Sequence, residues 1–542
     1  MKVSIEIDVP AQMRDGAILR ANVYRPDGDG PWPVLLTRQP YGKDDQGVQQ
    51  VLDPVRAARR GFIAVIQDSR GRFASDGEWM PFRFEAQDGF DSVEWAARLP
   101  GSNGRVAMYG ESYFGNTQWL AAIEQPPSLT AIAPALTWSE PMEGLVARGG
   151  AVELGLALSW SLQTGMDYVH RSGHSIAPLM DEYDRLTGAG YWQLPVSDQA
   201  VLRRHGLAEV GLDDPDFAAR SRVADRYASV TVPTFHMAGW HDLFLQGTLD
   251  SYAAMSGLGR DARLLVGPWT HATFADPIGE QVFGLRGGRH GIPAHAHGDT
   301  NDLLLAWFRY HAAGDHTVEL PESRVRIFVM GRNVWRDEAS WPLARVKQEA
   351  WFLHWDGSLS TAEPASDEAA SRFRYDPADP VPALGGSHLM SPAFPAGPRD
   401  QSRVEGRDDV LVFTSPPLDQ ELELTGRVRV ILHASSSAPS TDWVARLCDV
   451  HPDGRSFNLC DGIVRAAAGA DKRQRYEIDL WSTSNVFFSG HRLRVQVTSS
   501  CFPRWDRNLN TGDQGRKDHQ VAHQAIYHDA SHASYIDLPV IE

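Results

Sequence analysis

One junction constrains the fold of this chain more than any other feature. Val106-Ala107-Met108-Tyr109 has the length and apolar character of a buried strand, and residues 116–125 have helical composition with an apolar face. Between them, Gly110-Glu111-Ser112-Tyr113-Phe114-Gly115 must turn sharply. Small residues on either side permit such a turn, and the helix that follows aims its N-terminal N–H groups and positive dipole end at the serine oxygen. A serine so placed reads as a nucleophile. The pattern departs from Gly-x-Ser-x-Gly, because Phe114 stands where the second glycine is expected and Gly115 follows one place later. Alone it reads equally well as a structural turn, so its meaning rests on partners elsewhere.

The rest of the chain supplies the context. A length of 542 residues with 42% hydrophobic content suggests several cores. Through residues 1–140, strand-like runs at Ile18–Tyr24, Pro33–Thr37, Phe62–Ile66 and Val106–Tyr109 alternate with helical stretches such as Gly89–Leu99. That rhythm predicts a mainly parallel sheet with covered faces. In residues 141–225 strand signals vanish, and Gly150–Gln163 and Ser197–His205 read as helices of a lid. Residues 226–346 resume the rhythm with strands at Thr231–Met237, Ala262–Val266 and Val325–Val329 and a helix at Leu303–Ala313. Residues 347–542 carry short alternating runs separated by turn residues, the pattern of a β-sandwich. Within them Ser358–Arg372 reads as a mobile surface loop, while Met1–Asp15 alternates charged and apolar residues without a continuous apolar segment. The expected class is α/β with a helical lid and a C-terminal sandwich.

A nucleophilic serine in such a sheet is followed in the chain by its acid and then its histidine, on loops after later strands. Asp242 follows the run ending at Met237, and His271 follows the run ending at Val266. Both sit where the ends of neighbouring strands converge. Asp250, inside the next helix, is a weaker acid. The oxyanion formed on attack by Ser112 needs donors, and two are in reach of the pattern. One is the backbone N–H of Tyr113; the other is the phenol of Tyr41, in the loop after the second strand-like run, where simple packing reads equally well.

Gly110-Glu111-Ser112-Tyr113-Phe114-Gly115, Gly239-Trp240-His241-Asp242 and Gly267-Pro268-Trp269-Thr270-His271 resemble the cocaine esterase-like (CocE/NonD) hydrolases of the X-prolyl dipeptidyl-peptidase clan. The likeness extends to Pro40-Tyr41-Gly42-Lys43, Asp68-Ser69-Arg70-Gly71, Tyr375-Asp376-Pro377 and the run 502–508. It implies an α/β-hydrolase domain, a helical lid and a C-terminal jelly roll. It also implies a serine esterase working through an acyl-enzyme, with Tyr41 as side-chain oxyanion donor. Trp160 and Phe244 match aromatic positions of the family's acyl pocket, suited to a flat or bulky acyl group. Val146 stands near the place of a second pocket tryptophan. Leu243-Phe244-Leu245 after Asp242 replaces the acidic residues by which amino-ester hydrolases of the clan hold an ammonium group. An amidase, an acyltransferase or an X-prolyl peptidase of the same clan is the alternative, and a ligand-binding protein without activity a distant one.

Composition narrows the partners. A formal charge of −17 argues against nucleic acid and anionic membranes, whose binding needs a basic face. Three widely spaced cysteines fit a reducing compartment, and no long apolar run occurs, so a cytoplasmic location is expected. The expected partner is a small-molecule ester; a homodimer is compatible with the sequence. No cofactor or metal is expected: His290, His295 and His297 with Asp299 lie among glycines and a proline, and His519, His523, His528 and His532 read as decoration of the sandwich. Asp68-Ser69-Arg70-Gly71 reads as a buried ion-paired turn that supports the site.

Overall fold

The computed structural model describes residues 2–198, 200–207, 215–289, 299–467, 472–513, 515 and 517–542. Its larger sheet has ten strands. In chain order they begin with β1 (Val3–Gln12), β2 (Ile18–Pro26), β3 (Trp32–Gln39), β4 (Ile63–Asp68), β5 (Ser102–Glu111) and β6 (Leu129–Ala135). After an insertion that contains the two-residue hairpin β7 (Ala147–Arg148) and β8 (Ala151–Val152), the sheet resumes with β9 (Thr234–His241), β10 (Ala262–Thr270), β11 (Val325–Val329) and β12 (Val334–Glu338). The spatial order is β1-β2-β4-β3-β5-β6-β9-β10-β11-β12. From β4 to β11 every pairing is parallel, and the remaining pairings are antiparallel. This is the α/β-hydrolase arrangement.

The parallel strands are buried on both faces because helices cover them; every residue of β4 and β9 is buried. The helix Glu85–Ala97 buries positions 85, 88, 89, 92, 93 and 96, the stripe that a 3.6-residue period sets on one face. Ser112–Ile123 is buried on all sides from Tyr113 onward, which fixes the direction of its N-terminus.

Several elements differ from expectation. Residues 3–12, which the sequence shows only as an alternation of charged and apolar residues, form an edge strand whose Ile5 and Ile7 are exposed. The helix expected from Gly150 starts at Leu154, because Gly149-Gly150 turns the hairpin β7–β8 against Ile463 of the C-terminal part. Within Ser358–Arg372, Leu359–Ser360 and the start of Ser371–Tyr375 are strands, and Leu359 is fully buried. Besides that hairpin, the described residues of the insertion carry the helices Leu154–Arg171, Ala177–Arg185, Ala200–Arg204 and Pro215–Ser221.

From Val346 onward the chain forms two antiparallel sheets, of seven and four strands. Val430, Ile478 and Ile536 of the first meet Trp443, Leu447 and Val495 of the second in a common apolar core.

Candidate active site

Strand β5 ends at Glu111 and the helix begins at Ser112, whose φ is +56°. A serine in the left-handed region costs about 1–3 kcal/mol and persists only where its surroundings hold it. Here the Ser112 N–H donates to the Leu136 carbonyl at 3.2 Å, and Thr137 Oγ1 donates to the Ser112 carbonyl at 2.8 Å. Gly110, at φ +146°, could not carry a side chain: a Cβ would lie 2.3 Å from Phe114 Cδ2. The displaced second glycine has the same kind of reason. A Cβ on Gly115 would lie 2.8 Å from the Ala135 carbonyl oxygen, so it is this position, one later than usual, that grips β6. Phe114 instead covers Gly110 and meets Tyr41 edge-on at 6.1 Å.

The parallel strands β9 and β10 run side by side and end together, with His241 opposite Thr270. Both are longer than expected, so Gly239-Trp240-His241 and Gly267 to Thr270 are strand; Asp242 and His271 each stand one residue beyond a strand end. His271 Nε2 lies 2.9 Å from Ser112 Oγ, and His271 Nδ1 lies 2.6 Å from Asp242 Oδ1. The other carboxylate oxygen accepts the Phe244 N–H at 3.0 Å, which locks an acid with no solvent exposure. Phe244 also closes edge-on against the imidazole at 5.2 Å. Asp250 sits in the helix Leu245–Gly257 and accepts from Gln246, apart from the imidazole.

Tyr41 follows β3, where its N–H donates to Gln39 Oε1. Its hydroxyl accepts from Trp160 Nε1 at 3.2 Å, and the residue lines both spaces at Ser112. Burial pushes the phenol pKa up, so the group keeps its proton and remains a donor. The Tyr113 phenol is occupied elsewhere, donating to Glu85 at 3.0 Å and accepting the Phe82 N–H at 3.2 Å. Its backbone N–H belongs to the first helical turn, where intrahelical acceptors are lacking and the Glu111 side chain caps none.

Two spaces meet at Ser112. One is an open cavity of about 1230 Å³ whose wall includes Tyr41, Trp160, His271 and the ion pair Glu111–Arg289 at 2.6 Å. The other is an apolar recess with about 20 Å³ of free space, close to what one water needs. Trp160 and Phe244 line this recess, together with Trp138, Phe82 and Phe217, which the sequence reading missed. Those three come from separate segments and form one cluster, with Phe82 5.5 Å from Trp138 and 5.3 Å from Phe217. Leu145 lines the recess, while Val146 packs behind it. Leu389, from the C-terminal part, reaches both spaces.

The turn after β4 is ion-paired as expected. Arg70 binds Asp88 at 2.6 Å and Asp15 at 2.8 Å, and Asp68 accepts the Lys43 N–H at 2.6 Å, beside the Tyr41 loop. Burial outweighs the pull of Lys43 and raises the Asp68 pKa to about 6. His290, His295 and His297 lie outside the described residues. His528 is buried and bonded to the Leu353 carbonyl and Ser371, and His532 pairs with Asp529, so neither joins a shared cluster. The cysteines Cys448, Cys460 and Cys501 are free and buried. No helix among the described residues is long and apolar enough to cross a membrane.

Comparison with known proteins agrees with this architecture. Residues 15–273 match the X-Pro dipeptidyl-peptidase (S15 family), and residues 318–537 match the X-Pro dipeptidyl-peptidase C-terminal non-catalytic domain. A cocaine esterase of Rhodococcus sp. (strain MB1 Bresler) is 34% identical over 99% of this chain and 99% of its own. Among solved structures, an α-amino acid ester hydrolase superposes with a TM-score of 0.81 at 25% identity, covering 99% of this chain and 96% of that one. An aminopeptidase of a marine sediment Thaumarchaeota archaeon shares the fold, with a TM-score of 0.83 at 24% identity over 100% and 96% of the two chains. Identity of this extent from end to end, on this strand order, means that the chain belongs to the cocaine esterase-like family of serine hydrolases.

Proposed function

We propose that the chain hydrolyses carboxylic esters of small molecules through an acyl-enzyme on Ser112. The observation that carries this reading is the continuous relay Ser112 Oγ, His271 Nε2, His271 Nδ1 and Asp242 Oδ1, with steps of 2.9 and 2.6 Å. Ser112 attacks the ester carbonyl as His271 takes its proton, and Asp242 orients the ring and stabilises the imidazolium. The oxyanion sits between the Tyr41 hydroxyl and the Tyr113 N–H, two donors held in place before the charge develops. Collapse of the tetrahedral intermediate expels the alcohol, which receives the proton from His271. Water, activated by the same imidazole, then releases the acid.

The two spaces divide the substrate. The acyl group enters the apolar recess, whose narrow free space favours small acyl groups over the bulky ones that its aromatic walls first suggest. The alcohol occupies the open cavity. The recess wall contains no carboxylate among the described residues, which favours a neutral acyl group over an amino-acyl one. Residues 1–140 and 226–346 supply the relay and the Tyr41 loop, residues 141–225 act as a lid carrying Trp160, and residues 347–542 close the site through Leu389.

Hydrolysis of a p-nitrophenyl ester series tests the reading. The wild-type chain should turn over the acetate faster than the benzoate or naphthoate, and Ser112→Ala should be inactive on all of them. Undiminished activity in Ser112→Ala would remove Ser112 from the mechanism.

A further inference from the structure

A second cavity, of about 290 Å³, lies between the ends of the ten-stranded sheet and the C-terminal sheets. Its lining shares no residue with the cavity at Ser112. One wall carries Asp449, His451 and His491, and we propose that these three side chains form a binding site for a divalent transition metal of the zinc class.

The sheet register builds the cluster. Asp449 and Val450 end the strand Ser440–Val450, and His451 follows, so Asp449 and His451 stand two apart on the same face. The neighbouring antiparallel strand pairs Leu493 with Asp449 and Arg492 with Val450. One further step places His491 opposite His451, at the distance where cross-strand side chains meet. The potential ligand atoms of the three residues all lie within 4.8 Å of one another. His491 Nδ1 is 2.8 Å from Asp449 Oδ1, and His451 Nε2 is 3.9 Å from Asp449 Oδ2. Nitrogen and oxygen ligands around a tetrahedral zinc ion stand about 3.3 Å apart, given bond lengths of about 2.0–2.2 Å. The two observed separations bracket that value, so small side-chain rotations close the site.

A plain hydrogen-bonded pair accounts for less of what is present. His491 and Asp449 satisfy each other, but 3.9 Å is too long for a hydrogen bond from His451, whose imidazole makes none among the described residues. Asn485 Nδ2 approaches Asp449 Oδ2 at 3.4 Å, the kind of outer contact that orients a ligating carboxylate. His241, fully buried on the wall of the same cavity, has both ring nitrogens without a partner among the described residues. Two imidazoles and one carboxylate suit zinc, with a fourth position open to the cavity for water.

The test is titration of the chelator-treated full-length protein with Zn²⁺ by calorimetry, and with Co²⁺ by visible absorption. One saturable equivalent is expected, with the d–d bands of a four-coordinate Co²⁺ site. His451→Gln and His491→Gln should each weaken binding at least about tenfold, as loss of a ligand must when loss of an outer partner already costs that much. His519→Gln should bind as the wild type does. Since the His451 side chain makes no hydrogen bond, His451→Gln should fold normally, and circular dichroism with an unchanged metal-free Tm would verify it. Absence of saturable binding by the wild-type chain would overturn the proposal, as would binding that survives His451→Gln at full strength.

Discussion

At the scale of single residues, chain order and strand ends together point to Ser112, Asp242 and His271, which the structure brings within hydrogen-bonding distance of one another. Tyr41 was not legible from the residues alone, since a tyrosine in a loop packs as readily as it donates. What distinguishes it is position: it lines the same cavity walls as Ser112 while burial keeps its phenol protonated. Tyr41→Phe should therefore lower kcat on p-nitrophenyl acetate by about 10²- to 10³-fold with little change in KM, the usual result of losing one oxyanion donor; an unchanged kcat would make Tyr41 a packing residue. Asp68 makes a different prediction. Burial raises its pKa to about 6, so between about pH 4 and 6 the folded chain binds protons that the unfolded chain has released. Stability is lost as pH rises through that window, by up to about 3 kcal/mol. Asp68→Asn cannot ionise, so denaturant unfolding across this range should show the wild type falling relative to the variant as pH rises. A constant difference between the two would contradict the raised pKa.

At the scale of elements, sequence periodicity located most strands and helices of the larger sheet but placed their ends poorly. Strands β9 and β10 continue through Gly239-Trp240-His241 and Gly267-Pro268-Trp269-Thr270, residues that resemble loop because of their glycines and proline. They are strand because the two segments pair with each other, Gly239 with Gly267 and His241 with Thr270, a contact between distant parts of the chain that no local pattern records. The elbow teaches the same lesson. Gly115 looked like a glycine out of place, and its reason is the carbonyl of Ala135 on a different strand. Gly115→Ala should push the helix Ser112–Ile123 away from β6, costing about 1–3 kcal/mol in stability and most of the esterase activity. Thermal unfolding and p-nitrophenyl acetate turnover measure the two effects, and a variant matching the wild type in both would show that the helix has room to yield.

At the scale of the whole molecule, the C-terminal sheets are joined to the larger sheet through a shared apolar core. Trp481 and Val486, on the strand Gln474–Phe487, pack into the same core as β11, and across the junction the Met330 N–H donates to the Ser484 carbonyl while the Val486 N–H donates to the Met330 carbonyl. Arg148 of the insertion stacks 3.7 Å over Trp481 and donates to the Asp461 carbonyl at 2.6 Å. Calorimetry of the full chain should accordingly show one unfolding transition, with activity lost along it; two resolved transitions would mean that the parts unfold independently. The sequence by itself determined the class of fold and pointed to Ser112, Asp242 and His271 as the candidate site, because local periodicity and motif spacing are written in neighbouring residues. The tertiary structure decided the rest: the width of the apolar recess beside Ser112, the place of Tyr41, the reason for Gly115, and the meeting of His451 with His491. Each of these depends on residues far apart in the chain that touch only when sheets register and pack.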